Sequence, residues 1–167
     1  MNDTLEVFAA ECHKIIKLDS GRRGIEAVRE KLEPLLLDEE FIATYLGADN
    51  HSARKIIYED SELGFCILAH VFKGYNEAPP HDHGPSWAIY GQAAGKTEMT
   101  EYDEVGSHSD GEIGIARPVK SYTLEPGMAV AYQVGDLHSP QRDGETRLIR
   151  MEGQNLEGIK RDKFQRA

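Results

Sequence analysis

Apolar residues recur at helical spacing through the first part of the chain. Leu5, Phe8, Ala9, Cys12, Ile15 and Ile16 stand three or four positions apart, which predicts a helix over about 4–18, capped by Asp3 or Thr4. Ile25, Val28, Leu32 and Leu35 predict a second helix over about 24–37, ended or kinked by Pro34, and a short third covers about 39–46. From about residue 53 the pattern changes to short apolar runs separated by Gly, Pro, Asn and Asp. Runs at 55–58, 65–73, 86–93, 96–102, 119–124, 128–133 and 146–152 read as strands. Glu125-Pro126-Gly127 and Asp143-Gly144-Glu145 supply turns, and the Gly-, Ser- and Asp-rich stretch 104–112 reads as an exposed loop. Roughly seven or eight short strands behind a helical lead predict a mainly β protein, a closed or sandwich-like barrel. No repeat or linker divides the chain. Residues 1–167 are read as a single domain, with the helical lead over 1–48 and the barrel over 53–152.

Composition narrows the function classes. A chain of 167 residues is long enough to bury roughly 70% of the surface its unfolded form exposes. No stretch approaches the ~18 apolar residues of a membrane span, so no membrane role is expected. Acidic residues outnumber basic ones 29 to 19, for a net charge of −10. The basic residues are scattered apart from Gly21-Arg22-Arg23 and Lys160-Arg161, which argues against nucleic acid as a partner. The start, Met-Asn-Asp-Thr-Leu-Glu, is acidic and carries no cleavage-site pattern, so a cytoplasmic protein is expected. Cys12 and Cys66 lack a second cysteine at metal-ligand spacing, and no structural disulfide is expected.

The chemistry lies in histidines. His81 and His83 are one residue apart, and His138 follows 55 positions after His83, behind Gly135. On an extended strand, residues i and i+2 share a face, so a His-x-His pair offers two imidazoles to one ion, and a third from a distant strand completes one side of its coordination sphere. His13, His51 and His108 fall in a helix and polar loops and read as surface residues.

The pattern from Gly74 through His81-Asp82-His83 and Gly95, ending at Gly135-Asp136-Leu137-His138, resembles the two metal-binding motifs of the cupin superfamily over about residues 53–152. The resemblance implies a double-stranded β-helix, or jelly-roll, barrel. Cupins of the usual kind add a glutamate ligand after the histidine pair; here Ala88 stands at that position, Gln133 at a usual proline, and Arg142 where asparagine is common. A three-histidine set, with Ser86 three positions after His83 and a helical lead, is similar to the cysteine dioxygenase group of thiol dioxygenases.

That resemblance implies further roles. It places His81, His83 and His138 as ligands of Fe(II), although imidazole ligation alone does not discriminate Fe from Ni, Mn, Cu or Zn. Three neutral ligands leave Fe(II) its full charge, which favours direct binding of an anionic thiolate beside O₂, with both oxygen atoms ending on sulfur as a sulfinate. A cation for the substrate carboxylate is expected on the early strand. Spacing to His81 fits Lys55 without a gap and Arg54 with a one-residue shift, and Arg54 is preferred for its bidentate fork. Alternation puts Cys66, Leu68, His70 and Phe72 on one face, with His70 and Phe72 at pocket positions. Tyr90 shares a face with Ser86 and Ala88 and points at the metal, whereas Trp87 faces outward toward a helix or a partner. Asp82 is expected to orient a neighbour rather than to coordinate. Ala88 excludes the cysteine–tyrosine crosslink of mammalian-type members. The family's Ser-x-His-x-Tyr triad is also missing, with Arg150 and Glu152 near the histidine and tyrosine positions, and Arg150 is a candidate anion clamp.

The expectation is therefore a metal-dependent dioxygenase acting on a small-molecule thiol and O₂. Two alternatives stand beside it: a three-histidine dioxygenase cleaving carbon–carbon bonds of a diketone-like substrate, and a non-catalytic metal- or small-molecule-binding barrel. A homodimer formed through edge strands or exposed faces is the candidate assembly.

Overall fold

The computed structural model describes residues 3–167. The lead forms three helices: α1 (Asp3–Leu18), α2 (Arg22–Leu35) and α3 (Glu39–Tyr45). Helix α1 buries Leu5, Phe8, Ala9, Cys12 and Ile16, the predicted stripe, and already contains Asp3 and Thr4 at the edge of the described residues. Helix α2 carries Pro34 in its last turn and stops at Leu35, two residues short of the expected end. The turn into α2 needs Gly24, because a Cβ there would lie 1.7 Å from the carbonyl oxygen of Asp19. Asp38 caps α3, its side chain accepting from the Phe41 N–H at 2.9 Å.

Ten strands follow among the described residues: β1 (Lys55–Glu59), β2 (Cys66–Phe72), β3 (Asn76–Glu77), β4 (Ala88–Ala94), β5 (Thr97–Glu104), β6 (Gly114–Leu124), β7 (Ala129–Tyr132), β8 (Leu137–Arg142), β9 (Thr146–Glu152) and β10 (Phe164–Arg166). They form two five-stranded sheets, ordered β1-β2-β9-β4-β7 and β10-β6-β5-β8-β3. All named pairings are antiparallel except β10 with β6. The expected mainly β architecture, a double-stranded β-helix with a helical lead, is observed.

The first sheet has two working faces. Ile67, Ala69 and Val71 of β2, Ile89 of β4, and Ile149 and Met151 of β9 join the helix residues in one buried cluster. Trp87 belongs to that cluster and is 8% exposed, so it packs under the helices and is withdrawn as a subunit contact. Gly91 lets the layers close: a Cβ there would stand 2.8 Å from Leu32 Cδ2. The alternate residues point into the barrel. There Ala88, Tyr90, Met99, Leu124 and Tyr132 form a second cluster.

Four segments differ from expectation, the two-residue β3 (Asn76–Glu77) among them. Strand β8, which carries His138, was not predicted, because Leu137-His-Ser-Pro-Gln-Arg142 is polar and contains Pro140. Its pairing with β5 sets Met99 opposite Pro140, and the proline carbonyl accepts from the Ala78 N–H at 3.2 Å. Strand β6 begins at Gly114 rather than about residue 119, and β10 lies beyond the expected barrel, paired with that added stretch of β6. Cys12 and Cys66 are buried free thiols, raised to about 12 and about 11 by burial. No described helix is long and apolar enough to cross a membrane.

His108 ties the exposed loop to the C-terminal segment. Its Nδ1 lies 2.5 Å from Glu104 Oε1 and its Nε2 3.0 Å from Asp162 Oδ2, with Phe164 edge-on to the ring. It is thus a half-buried clamp rather than a free surface residue. The hydrogen bonds to Glu104 and Asp162 raise its pKa above the ordinary 6.5.

Two outcomes follow from this packing. Leu32→Ala, at the helix–sheet contact, costs about 2–5 kcal/mol in denaturant unfolding. For His108 the native pKa is raised, so its contribution is complete below 6.5 and is lost as pH rises through the native value. The stability gap between wild type and His108→Gln is therefore largest in mild acid and narrows in alkaline solution.

Candidate metal centre

The site is held by an isolated bridge between two distant segments. His81 and His138 exchange both backbone hydrogen bonds, each at 3.0 Å. The loop between the paired histidines is fixed locally: Asp82 Oδ1 accepts from the Gly84 N–H at 2.9 Å, and Gly84 takes φ +60°. The His83 carbonyl then accepts from the Ser86 N–H at 3.1 Å. Asp82 thus shapes the turn, as expected of a residue facing away from the metal.

His81, His83 and His138 come together, their donor atoms within 4.8 Å of one another. His81 Nδ1 lies 2.9 Å from the Pro79 carbonyl and His138 Nδ1 3.0 Å from the Asp136 carbonyl. A carbonyl only accepts, so each Nδ1 carries the proton and each Nε2 presents its lone pair. His83 Nε2 and His138 Nε2 are 3.1 Å apart. Burial pushes His81 down to about 4, His83 to about 2 and His138 well below its ordinary value, with Arg150 adding to the effect on all three. His81 and His138 thus turn lone pairs inward, and His83, whose Nδ1 has no hydrogen-bond partner, can do the same when a cation stands between the three rings. That donor set suits a first-row transition metal.

The surroundings orient these rings. Glu152 Oε2 stands 3.4 Å from His83 Nδ1, and burial raises the glutamate's pKa. It is the group placed to accept Nδ1–H once Nε2 is committed to an ion. The Tyr132 ring stacks on His138 at 3.8 Å. Tyr132 donates to Tyr122 at 2.5 Å, which donates to Glu101 at 2.6 Å.

The other predicted residues divide between barrel and rim. His70 is buried, its Nδ1 2.6 Å from the Ala53 carbonyl and its Nε2 without a hydrogen-bond partner. Burial, then Arg150, holds it well below its ordinary pKa. Phe72 stacks beside it with centroids 5.8 Å apart. Tyr90 is 1% exposed and its hydroxyl lies among the three ligand nitrogens. Arg150 lies over the Tyr90 ring at 4.5 Å, its Nε buried and unpaired. Arg54 is elsewhere. Its Nη2 donates to Asn155 Oδ1 at 3.0 Å and its Nη1 faces Glu157 at 3.8 Å, on the surface. The neighbouring Lys55 is exposed as well.

One cation of the interior was noted in the sequence only as a departure from asparagine. Arg142 is 2% exposed, donates to Thr97 Oγ1 and Asn76 Oδ1 at 3.1 Å each, and covers the Phe72 ring at 4.5 Å. Its Nη2 has no hydrogen-bond partner, and burial followed by Arg150 lowers its pKa to about 10. Its sequence signal was parity: His138, Pro140 and Arg142 alternate on one strand. A cleft of about 480 Å³ lined by Pro79, Pro80, His81 and Phe164 opens beside His81.

A scan against protein-family models finds no match. A search of curated proteins likewise finds none. Among solved structures, KdgF from Halomonas sp. is 18% identical, with 59% of this chain and 76% of that chain covered and a TM-score of 0.44. A cupin-2 domain containing protein from Shewanella frigidimarina is 16% identical over 62% of this chain and 81% of its own, with a TM-score of 0.43. A cupin superfamily protein from Desulfitobacterium hafniense is 11% identical over 59% and 72%, with a TM-score of 0.42. The chemistry of the site rests on the residues of this chain.

Glu152→Gln weakens Zn(II) affinity about 10–100-fold in a chelator competition titration, the scale seen when a partner of a ligating histidine is altered. His138→Ala removes stoichiometric binding in the same assay.

Proposed function

We propose that this chain is a three-histidine metal cupin that oxidises a small anionic substrate, acting as a non-haem Fe(II) dioxygenase on the sulfur of a small thiol acid. One observation carries the reading. Arg142 of β8, a buried guanidinium, and Arg150 of β9, half-buried with its Nε enclosed, bring unpaired N–H groups into the barrel that holds the histidines. Asp60 and Glu152 are the buried carboxylates among the described residues. Asp60 is committed outside the barrel to His13, Tyr58 and the backbone N–H groups of Glu62 and Leu63. Glu152 is left as the fully buried acid of the barrel, with Arg150 acting on it, while the half-buried Glu101 is engaged by Tyr122.

An interior with surplus positive charge and unused donors suits an anion. A substrate carboxylate would satisfy Arg142 Nη2 and Arg150 Nε by charge-assisted hydrogen bonds. His70 Nε2, an unused acceptor when Nδ1 donates to Ala53, would take an N–H, O–H or S–H of the same molecule. These groups bind and orient the substrate. When bound, the metal supplies the site for thiolate coordination and oxygen activation. Arg54, with its carboxylate partner on the protein surface, contributes only its field at Glu152 and His70. Cleavage of an uncharged diketone is the weaker reading, since it needs an apolar pocket in which two guanidiniums would stay unsatisfied.

Oxygen uptake by the Fe(II)-reconstituted protein against small thiol acids and diketones tests this, with His138→Ala as the blank. Uptake with a thiol acid is expected, with KM raised about a hundredfold in Arg142→Met, as for truncating one partner of a buried charged pair. Uptake confined to diketones selects carbon–carbon cleavage. Silence across the panel leaves a binding protein.

A further inference from the structure

The hydroxyl of Tyr90 stands 3.0 Å from His83 Nε2, 3.3 Å from His138 Nε2 and 3.4 Å from His81 Nε2. Two of those nitrogens are themselves 3.1 Å apart. Donors ~2.0–2.1 Å from one ion are separated by about 3.3–3.4 Å in a tetrahedron and about 2.9 Å when adjacent in an octahedron. These four of the six separations fall within that range, and the remaining two, from His81 to the other histidines, lie within 4.8 Å.

Hydrogen bonding alone does not explain the arrangement. His83 Nε2 can donate to the phenol oxygen, but the phenol has one proton to give and two further ring nitrogens, of His81 and His138, to serve. The Nδ1 protons of His81 and His138 are engaged with Pro79 and Asp136 carbonyls, so those two rings present lone pairs to the phenol oxygen. The tyrosine is 1% exposed, so bulk water is not its hydrogen-bond partner. Placement is set by the strand: β4 pairs Tyr90 with Arg150 of β9 on one side and Val130 of β7 on the other. The next residue on the same face, Ala88, has no donor.

We propose that Tyr90 is the fourth protein ligand, its phenolate oxygen joining Nε2 of His81, His83 and His138 around a single cation. As the ion enters, the O–H bond breaks, its electron pair stays on oxygen and becomes the fourth donor, and the proton passes to solvent. The Arg150 guanidinium, 4.5 Å above the Tyr90 ring, faces the resulting negative charge.

The full-length protein loaded with Fe(III) tests this directly. A visible phenolate-to-iron charge-transfer band and tyrosinate ring modes in resonance Raman are expected. Tyr90→Phe keeps the ring and its packing; it should bind iron without the band and lose at least about tenfold in Zn(II) affinity, the lower scale for disturbing a metal site. Tyr58→Phe, on the helix side of the first sheet and away from the histidines, should keep the band. Iron-loaded wild type without tyrosinate modes overturns the assignment, as does a band that survives in Tyr90→Phe. The Raman measurement on wild type decides even if the variant fails to fold. Absence of any Fe(III) or Zn(II) binding overturns both this ligand and the enzymatic reading, whereas silence in oxygen uptake leaves the ligand standing.

Discussion

The alternation of side chains along β2, β9 and β4 is the constraint on which the other features depend. One parity, represented by Ile67, Ala69, Val71, Ile89, Ile149 and Met151, is spent on the helices. The other, with His70, Tyr90, Arg150 and Glu152, is thereby released from packing against them and can carry chemistry. A slip of one residue would exchange the faces, setting guanidinium and carboxyl against Leu32 and Ile25 and losing the site and the helix layer together. The register is continuous across β2–β9 from Cys66↔Glu152 to Phe72↔Thr146, without a bulge. The helical lead therefore acts on the site indirectly, by making the register of this sheet costly to change.

The released face carries a cost of its own. Buried guanidiniums forgo hydration, and Arg142 recovers part of it from the neutral acceptors of Thr97 and Asn76. The positive field then spreads: Arg150 disfavours protonation of His70, His81, His83 and His138 alike. Neutral imidazoles are the form a metal needs, so the same cations that suit an anionic ligand also keep the ligand nitrogens free of protons. A cation among the histidines would use their inward lone pairs, and any ligand that binds the folded barrel alone would stabilise it by mass action.

Much of this was legible in the chain because it was periodic. The helical stripe of α1 and the inward parity of β2 follow from spacing alone, and the clustering of His81, His83 and His138 follows from motif and strand geometry. What escaped was of two kinds. Strand β8 carries His138, Pro140 and Arg142 inward, so the composition that makes it functional also erased its apolar signal. The supports of the site depend on tertiary pairing: nothing near Tyr132 in sequence announces that its ring lies on His138, or that Tyr122 and Glu101 fix it from another strand. Arg54 and His108 show the reverse error. A cation beside an early strand is not a clamp when Asn155 and Glu157 engage it, and a polar-loop histidine is not idle when two carboxylates close on it.

The two arginines are not equivalent. Arg150 lies over Tyr90 and beside the histidines, so its charge is directed at the metal side of the barrel. Arg142 comes from the opposite sheet, is anchored by Thr97 and Asn76, and covers Phe72, with its Nη2 free. The two positive charges therefore enter the barrel from opposite sheets.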